Sequence, residues 1–427
     1  MGGLPALLEC CCGLDVHRDT IVACILRGSL DEEPKSEIRT FSTLPDGIYE
    51  LRQWLELELC MFVAMESTGI YWQPVYDELE TAFDGQMVLL VVNARHIKNV
   101  PGRKTDKKDS EWIATLLRAG LLRGSFIPTL EIRELRDLTR YRVSLAQELT
   151  AQKNRVEKLL QGAGIKLSSF VSDVFGVSGR NMLGYISLHG SLPFELMKDM
   201  LKGRLKSKED EITRALQATL SPHQQEMLQM LLRHLDQLNL NIHEVETKVE
   251  TRLKRFQEQV ELLSSIPGIK FTGAAAIISE IGIDMSQFMD AGHIASWAGM
   301  SPGSNESAGK KKSARALKGN PRIKRILCEI AWVVTRMRNT YLSQWYWKVK
   351  ARRGAKKAIV ALGRRILTII YAILKSGSPY AESKVTKRQT DQTDQTDRRK
   401  ESLLRELKRL GVEVQVVEKD LSLQVSA

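Results

Sequence analysis

The order of apolar segments near the start of the chain constrains the fold more than any other sequence feature. GLDVHRDTIVACILRG and SEIRTFST have the character of three strands within residues 12–43, joined by polar turns. Two buried strands follow, MFVAMES (61–67) and MVLLVVN (87–93), and helical spacing near Gly47–Leu59 and Tyr71–Phe83 alternates with them. A further helix is predicted in DKKDSEWIATLLRAGLL. Three meandering strands followed by strand–helix alternation predict a mixed α/β sheet with parallel strands added to hairpins.

Two later segments have the spacing of long helices. The first lies within 129–163 and carries apolar residues among many charges, at Leu135, Leu138, Leu145, Leu149, Val156 and Leu160. In the second, from 235 to 263, apolar residues step by three or four, with one four-residue insertion between Val245 and Leu253. We predict an antiparallel pair of long helices of the coiled-coil type, which packs on itself or on another copy.

The last part of the chain begins at 262. SSIPGIKFTGAAAIISEIG has the pattern of a helix-hairpin-helix, whose turn either points backbone N–H groups at a phosphate or only joins two closely packed helices. A basic stretch, NESAGKKKSARALKGNPRIKR (305–325), precedes one predicted helix rich in Trp, Lys and Arg, Ile323–Lys375. After Ser376, KRQTDQTDQTDRR predicts a flexible linker, and a short amphipathic helix is expected at Lys400–Leu410.

The charge balance favours a polyanionic partner. The formal net charge is +12 and the sequence pI is about 9.3. A membrane partner is disfavoured, because no uninterrupted apolar run is long enough to span a bilayer, and Met1–Leu14 lacks the basic start of a secretory signal. The cysteines match no zinc pattern and are predicted to be reduced and mostly buried: Cys10, Cys11, Cys12, Cys24, Cys60 and Cys328.

Four acids stand out by their placement. Asp15 lies on the first strand, and Glu66 ends the buried strand VAMES. Asp106 and Asp109 stand three residues apart at the start of a helix and share one face. Acids at strand ends and on a facing helix can converge above the edge of a sheet, where their oxygens would suit magnesium. Two such ions can clamp the attacking and leaving oxygens of a phosphodiester.

Each acid also has a plainer interpretation. Asp106 and Asp109 have the positions of acids that complement a helix dipole. Asp15 and Glu66 are harder to explain in this way, because a carboxylate on an apolar strand is costly without a partner. Asp19 is read as a turn residue. An actin-like ATPase would use a similar sheet, but it needs glycine-rich phosphate loops that GLDVHRDT lacks.

Five blocks of sequence carry a resemblance to a known family. They are GLDVH, MESTGIYW, NARHIKNVPGRKTDKKDSEWIA, IPGIKFTGAAAIISEIG and AGMSPGSNESAGKKKS. In this order they resemble the DEDD insertion-sequence transposases, RuvC-like recombinases with a separate C-terminal serine domain, also described as bridge-RNA-guided recombinases. The resemblance covers about residues 12–376. The leader MGGLPALLECC and the tail after Ser376 lie outside it.

The resemblance implies a fold class, a domain order and a metal site. It implies an α/β ribonuclease-H-like (RuvC-like) catalytic domain at 12–128 and a long-helix coiled-coil or oligomerisation region at 129–261. A mostly α C-terminal transposase domain with a helix-hairpin-helix-like element would span 262–377, and a linker and tail 378–427. Asp15, Glu66, Asp106 and Asp109 would be the metal-binding tetrad, with Mg²⁺ as the cofactor, two ions to a site.

The resemblance also implies a nucleophile and partners. The position that matches the family's nucleophilic serine is Ser307, which would join covalently to DNA. Donor and target DNA, a structured noncoding guide RNA and further copies of the chain, as a dimer or tetramer, are the implied partners. The tetrad and the serine are expected to come from different protomers.

The basic residues around Ser307 suit a phosphate. A serine hydroxyl needs activation by a base or a metal, and nearby cations can offset charge that develops on a phosphate. Spacing alone does not distinguish Ser307 from Ser304, Ser301 or Ser313. The predicted nucleic-acid-binding residues are Lys310, Lys311, Lys312, Arg315, Lys318, Arg322, Lys324 and Arg325. Further along, Trp345, Tyr346 and Trp347 stand among basic residues, where aromatic rings either stack on unpaired bases or belong to the core.

The expected function is therefore a DNA transposase or recombinase that cuts and rejoins strands, acting in the cytoplasm of a prokaryote on nucleoid DNA. One alternative is a Holliday-junction-type resolving endonuclease that uses only the tetrad. Another is a nucleic-acid-binding protein without catalytic activity, which would bind in a salt-sensitive way and show no dependence on magnesium.

Overall fold

The chain forms two compact units, residues 1–129 and residues 130–427. The computed structural model describes residues 5–67, 69–94, 97, 109–303, 305–307, 310–313, 318–337 and 340–382, with only the backbone described at 305–307 and 310–313. Among the described helices, none is long and apolar enough to cross a membrane. The predicted tail lies outside the described residues from 383 onwards, as do the predicted ligand Asp106 and the predicted phosphate contact Arg315.

The first unit is built on a mixed five-stranded sheet. Its strands are β1 (Cys10–Val16), β2 (Thr20–Arg27), β3 (Lys35–Ser42), β4 (Phe62–Glu66) and β5 (Val88–Val92), in the order β3-β2-β1-β4-β5. β1 pairs antiparallel with β2, and β2 with β3, whereas β1, β4 and β5 run parallel. The predicted mixed sheet is thus confirmed, and it is compatible with an α/β ribonuclease-H-like fold.

Helices cover both faces of this sheet. They are α1 (Pro45–Leu57), α2 (Trp72–Phe83) and α3 (Asp109–Arg118). Because strand residues alternate between faces, Leu14 and Met65 pack into the core that holds α1 and α2, while Cys11 and Ala64 pack into the core that holds α3. All six cysteines of the chain are free thiols, as predicted, and four of them are buried.

Two long helices dominate the first half of the second unit. They are α4 (Leu130–Gly162) and α8 (Pro222–Leu253). Ion pairs join Arg252 to Glu134 near the start of α4, whereas Gln152 further along α4 donates to the Leu231 carbonyl. The later position on one helix meets the earlier position on the other, so the pair is antiparallel, as predicted. The coiled-coil description stays a prediction.

The segment between the long helices has more structure than its polar sequence indicates. It holds α5 (Val177–His189), α6 (Phe194–Met200) and α7 (Glu209–Ala215), with 3₁₀ turns at Leu167–Ser169 and Gly203–Lys208. Their apolar residues share one core with Val156, Leu160, Leu228 and Leu232 of the long helices. Each short helix has only a few apolar positions, and the shared core stabilises them.

The remaining elements form the C-terminal part of this unit. They are α9 (Gln257–Ser264), α10 (Phe271–Ile281), α11 (Ala291–Trp297), β6 (Asn305–Ser307), β7 (Lys310–Ser313), α12 (Pro321–Thr335), α13 (Tyr341–Arg353) and α14 (Ala355–Ser376), with 3₁₀ turns at Lys254–Phe256 and Met285–Gln287.

The prediction of one helix over Ile323–Lys375 is wrong, because the segment forms α12, α13 and α14. Gly354, with φ of 80°, ends α13 in a conformation that favours glycine and starts α14. The Thr340 hydroxyl caps the start of α13 by accepting from the Ser343 amide.

The predicted helix-hairpin-helix turn lies between α9 and α10. Gly268 of this turn has φ of 87°, and a Cβ there would stand 2.7 Å from Val334 Cγ2 on α12. Protein packing therefore accounts for this glycine, and a phosphate contact at the turn stays a prediction.

Candidate active site

Asp15 and Glu66 lie side by side on neighbouring parallel strands. Leu14 pairs with Met65 in the register of β1 and β4, and each acid is the next residue along its strand. Both therefore point to the face of the sheet that α3 covers. The Asp15 side chain is 15% exposed. The predicted neighbourhood of these two acids at the sheet edge is thus present in the fold.

Gly13 brings the third acid to the same place. A Cβ at Gly13 would overlap the Ser110 carbonyl oxygen and the Ala114 amide nitrogen, so the first turn of α3 lies directly on β1. Asp109, the first residue of α3, is exposed at this end of the helix. A residue with a side chain at position 13 would push α3, and Asp109 with it, away from the sheet.

The pKa of Asp15 is shifted by its burial and by its charged neighbours. Burial raises the pKa of the Asp15 carboxyl, His17 opposes that rise, and the charges of Asp109 and Glu66 add to it. The His17 Nε2 lies 3.2 Å from Asp15 Oδ2. Asp109 and Glu66 are therefore near enough to disfavour the charged form of Asp15, and His17 favours it.

His17, in the polar turn after β1, was not among the predicted site residues. Its signal was the spacing, because residues 15 and 17 stand two apart at the end of a strand and so share a face. The fourth predicted acid, Asp106, lies outside the described residues.

The chemistry of the donors fits a hard divalent cation. Carboxylate oxygens are the ligands that Mg²⁺ prefers, and a cation would offset the repulsion that Asp15 experiences. Within the described part of the chain, which excludes Asp106, no three His, Cys, Asp or Glu side chains form a group close enough to hold a metal ion. Asp15, Glu66 and Asp109 would be the described residues that contribute to such a site.

Ser307 lies at the tip of a two-stranded hairpin. It ends β6 and pairs with Lys310, the first residue of β7, while Glu306 pairs with Lys311. The register therefore sets Ser307 opposite the first of three consecutive lysines. Ser304 lies outside the described residues.

The two ends of the segment that carries this hairpin are anchored together. A Cβ at Gly319 would overlap the backbone of Gly299, and the Asn320 amide donates to the Trp297 carbonyl at 3.0 Å. Lys324 Nζ donates to the Gly299 carbonyl at 3.0 Å. The chain therefore leaves and re-enters the packed helices at nearly one point, and the basic stretch with Ser307 lies between.

A buried ion network supports this anchor. Arg140 on α4 donates to both carboxylate oxygens of Glu280 on α10, at 2.9 and 3.0 Å, and Asn320 Nδ2 donates to the same carboxylate at 3.0 Å. The Asn320 Oδ1 in turn accepts from the Arg322 and Ile323 amides and caps α12. Burial alone would raise the pKa of Glu280, but Arg140, Asn320 and Arg136 hold it below its ordinary value.

The predicted nucleic-acid contacts that the structure describes differ in their surroundings. Lys318 and Arg322 are exposed, and Arg325 is exposed beside Glu329, with 3.6 Å between the charged groups. Lys324 instead takes part in the anchor. The side chains of Lys310, Lys311 and Lys312 lie outside the description, so their role stays a prediction.

Comparisons with known proteins agree on one kind of enzyme. Residues 12–165 match the model of the IS110 DEDD transposase domain, described as a transposase, and residues 260–347 match the model described as the transposase IS116/IS110/IS902 family.

Individual relatives extend the match. The transposase for insertion sequence element IS1111A of Coxiella burnetii is 24% identical over 298 residues, 68% of this chain and 72% of that protein. The insertion element IS110 43.6 kDa protein of Streptomyces coelicolor is 26% identical over 300 residues, 66% of this chain and 73% of that protein. The pilin gene-inverting protein of Moraxella bovis is 30% identical over 125 residues, which are 29% of this chain and 38% of that protein.

Proposed function

The chain belongs to the IS110 transposase family and is an enzyme that acts on DNA, and from this premise we propose that it cleaves and rejoins DNA strands with a metal-binding tetrad and a serine nucleophile. The tetrad is Asp15, Glu66, Asp106 and Asp109, and the nucleophile is Ser307. Donor and target DNA are the substrates. Mg²⁺ is the proposed cofactor, two ions to a site.

One observation carries the proposal. Asp15 is a largely buried carboxylate whose pKa is raised by burial and by the charges of Asp109 and Glu66, beyond what His17 offsets. A fold that served only stability would not gather three acids there, because like charges at a buried position cost free energy. The arrangement supports a site that is completed by cations and a phosphate.

The acids and the serine have separate tasks in this proposal. When bound, the metal ions would stabilise charge on the phosphate and lower the pKa of an attacking hydroxyl. The carboxylates orient that site and keep it selective for hard cations. His17 holds Asp15 in place through its contact with Oδ2.

The serine step conserves the phosphodiester. The Ser307 oxygen forms a bond to phosphorus, the bond from phosphorus to a deoxyribose oxygen breaks, and the proton from the serine hydroxyl is passed by way of solvent to the leaving oxygen. Because one phosphate ester replaces another, the strand can be rejoined without an external energy source. The cations at Lys310, Lys311, Lys312, Arg315, Lys318, Arg322 and Arg325 would hold the phosphate backbone.

Sequence choice and assembly complete the proposal. We propose, from the family resemblance, that a structured noncoding RNA pairs with donor and target DNA. We also propose that the enzyme acts as an oligomer. The long helices α4 and α8 are the elements that the family resemblance connects with assembly.

A resolving endonuclease that uses only the tetrad is the second proposal. It is favoured by the fact that the three described acids all lie in the first unit, which has its own sheet and cores. Such an enzyme would hydrolyse DNA and would not need Ser307.

A covalent-trapping assay separates the two. Wild-type protein is mixed with RNA transcribed from the flanks of the gene, magnesium and end-labelled donor and target DNA, then denatured and resolved on a gel. The transposase proposal predicts label that stays with the wild-type protein and is lost with Ser307→Ala, while Ser301→Ala, a matched serine on the same segment, keeps it. Free cleaved DNA of equal yield in wild type and Ser307→Ala, with no adduct in either, would establish the endonuclease instead.

A further inference from the structure

A long segment near the end of the second unit carries positive charge without any acid. No Asp or Glu occurs between Glu329 and Glu382. Within it, α13 ends and α14 begins with a cluster of basic residues, namely Lys348, Lys350, Arg352, Arg353, Lys356 and Lys357. None of these makes an ion pair with an acid in the part of the chain that the structure describes.

Helix stability does not explain the whole cluster. Lys350, Arg352 and Arg353 lie in the last turn of α13, where cations favour the helix dipole. Lys356 and Lys357 lie in the first turn of α14, where the dipole disfavours them. The cations on both sides of Gly354 therefore form a patch whose mutual repulsion lowers the stability of the fold unless an anion binds there.

Three consecutive aromatic residues precede this patch, and their surroundings differ. Tyr346 is 2% exposed and belongs to the core. Trp345 is partly buried beneath the Arg365 guanidinium, which stands 5.1 Å from its ring. Trp347 is 52% exposed. Of these three rings, that of Trp347 presents the large apolar surface to solvent beside the basic cluster.

One face of the Trp347 ring is already organised. Lys350 Nζ lies 4.1 Å from the ring centroid, and the Tyr346 ring meets it edge-on with centroids 5.3 Å apart. An indole that these two contacts already hold loses little conformational freedom when a flat group stacks on its exposed surface. Lys348, Ala351 and Arg352 are exposed on the following turn.

We propose that Trp347 and the basic cluster around it bind an unpaired segment of DNA, with a base stacked on the indole and the neighbouring cations on its phosphates. A flat aromatic face bordered by uncompensated cations is the surface that single-stranded nucleic acid fits. Duplex DNA, whose bases are stacked on each other, would contact only the cations. The proposal requires that the enzyme acts on DNA and does not depend on the tetrad or on Ser307.

The test is a binding measurement with the full chain in EDTA, so that cleavage does not enter. Fluorescence anisotropy compares a labelled single-stranded oligonucleotide with the same strand in duplex form. Trp347→Ala is expected to weaken single-stranded binding roughly tenfold to a hundredfold and to leave duplex binding nearly unchanged. Trp347→Phe, which keeps an aromatic ring, should lose less single-stranded affinity than Trp347→Ala. Trp332→Ala is the matched control, since Trp332 on α12 is 49% exposed, and it should bind like wild type.

The charge contribution has its own control. Lys356→Ala with Lys357→Ala should weaken binding of both DNA forms and flatten its salt dependence, whereas Lys375→Ala, at the far end of α14, should not. An oligonucleotide with 5-iodouracil should crosslink to the peptide that contains Trp347. Unchanged single-stranded binding in Trp347→Ala, an equal loss in Trp332→Ala, or tighter binding of RNA of the same sequence that depends on Trp347 would overturn the assignment to DNA.

Discussion

Each unit contains a carboxylate that is withdrawn from solvent, Asp15 partly and Glu280 almost fully, and the described neighbours shift the pKa values of the two in opposite directions. Glu280 in the second unit is 2% exposed and receives hydrogen bonds from Arg140 and Asn320, which keep the pKa of its carboxyl low despite its burial. For Asp15 in the first unit, burial raises the pKa of the carboxyl, His17 opposes that rise, and the charges of Asp109 and Glu66 add to it; among the described residues His17 is the favourable neighbour.

This difference is the one we expect between an acid that stabilises the fold and an acid that takes part in function. A carboxylate whose partners all come from the chain is part of the fold. A carboxylate with like charges beside it is a candidate for the cation site that we propose. Among the described residues, Glu280 has arginine and asparagine partners, whereas Asp15 has two further acids beside it.

Loss of the first-unit acids should have the largest effect on activity. We expect Asp15→Asn, Glu66→Gln and Asp109→Asn each to lower strand transfer by about a thousandfold or more, because residues of one catalytic set fail together. A gel assay with labelled donor DNA measures this, and circular dichroism should report an intact fold. Activity of Asp15→Asn within tenfold of wild type would contradict a catalytic role for Asp15.

Loss of Glu280 should have the largest effect on stability. Glu280→Ala removes the buried carboxylate from the partly exposed Arg140 and Arg136, so we expect a cost of about 3 kcal/mol, the lower end of the range for breaking a buried pair on one side. Burial already lowers the pKa of Arg136 to about 10, so the guanidinium depends on Glu280. Urea unfolding followed by the tryptophan fluorescence measures the change. The matched control is Glu329→Ala, whose exposed contact with Arg325 should contribute less than about 1 kcal/mol.

Asn320 tests whether the network serves the basic hairpin as well as the fold. Asn320→Ala removes the cap of α12 and one bond to Glu280, with an expected cost of about 1–2 kcal/mol. Because the Asn320 side chain ties the return of the Ser307 segment to Glu280, strand transfer should fall more than the folded fraction does. Asn320→Asp, which keeps the cap oxygen but repels Glu280, should recover less than Asn320→Ser. Activity that tracks the folded fraction in every variant would limit Asn320 to stability.

The smallest expected effect is a gain in stability. Asp15→Asn should stabilise the metal-free protein by about 1 kcal/mol, as removal of strained charge at functional sites commonly does. The pKa of Asp15 is raised in the folded protein. The ionised Asp15 therefore destabilises the fold fully above that pKa, and the destabilisation disappears below the pKa that Asp15 has in the unfolded chain. The gain should therefore vanish as the pH falls through that window.

Glu280 should behave in the opposite sense. The pKa of Glu280 is lowered in the folded protein. Ionised Glu280 therefore contributes fully to the stability of the fold above the pKa that it has in the unfolded chain, and this contribution is lost as the pH falls through its pKa in the folded protein. Denaturation curves of wild type, Asp15→Asn and Glu280→Gln across acid pH compare the two directly. Parallel pH dependences at the two positions would contradict the contrast.

Much of the first unit could be predicted from sequence, for a physical reason. The strand order follows from apolar runs and short connections, and Asp15 and Glu66 are visible because each interrupts or ends such a run. The contact that brings Asp109 to Asp15 is not visible, since it depends on a glycine whose missing side chain admits a helix from far along the chain.

The second unit was less predictable because its key contacts join distant residues. Arg140 and Glu280 lie 140 positions apart, and each alone has the pattern of an ordinary charge on a helix. The break at Gly354 was also missed, because apolar spacing continues on both sides of it while the backbone turns. Local patterns predict elements, whereas the anchor of the Ser307 segment is a property of packing.

The most direct test of the account is divalent-metal binding by the full chain with and without Asp15. Mn²⁺ is titrated into protein and free Mn²⁺ is followed by electron paramagnetic resonance, with wild type, Asp15→Asn and Glu329→Gln compared under one buffer. The account predicts saturable binding by wild type and Glu329→Gln, and its loss in Asp15→Asn together with the loss of Mg²⁺-dependent thermal stabilisation. Equal binding by all three proteins would contradict the proposal that Asp15 contributes to a cation site in the first unit.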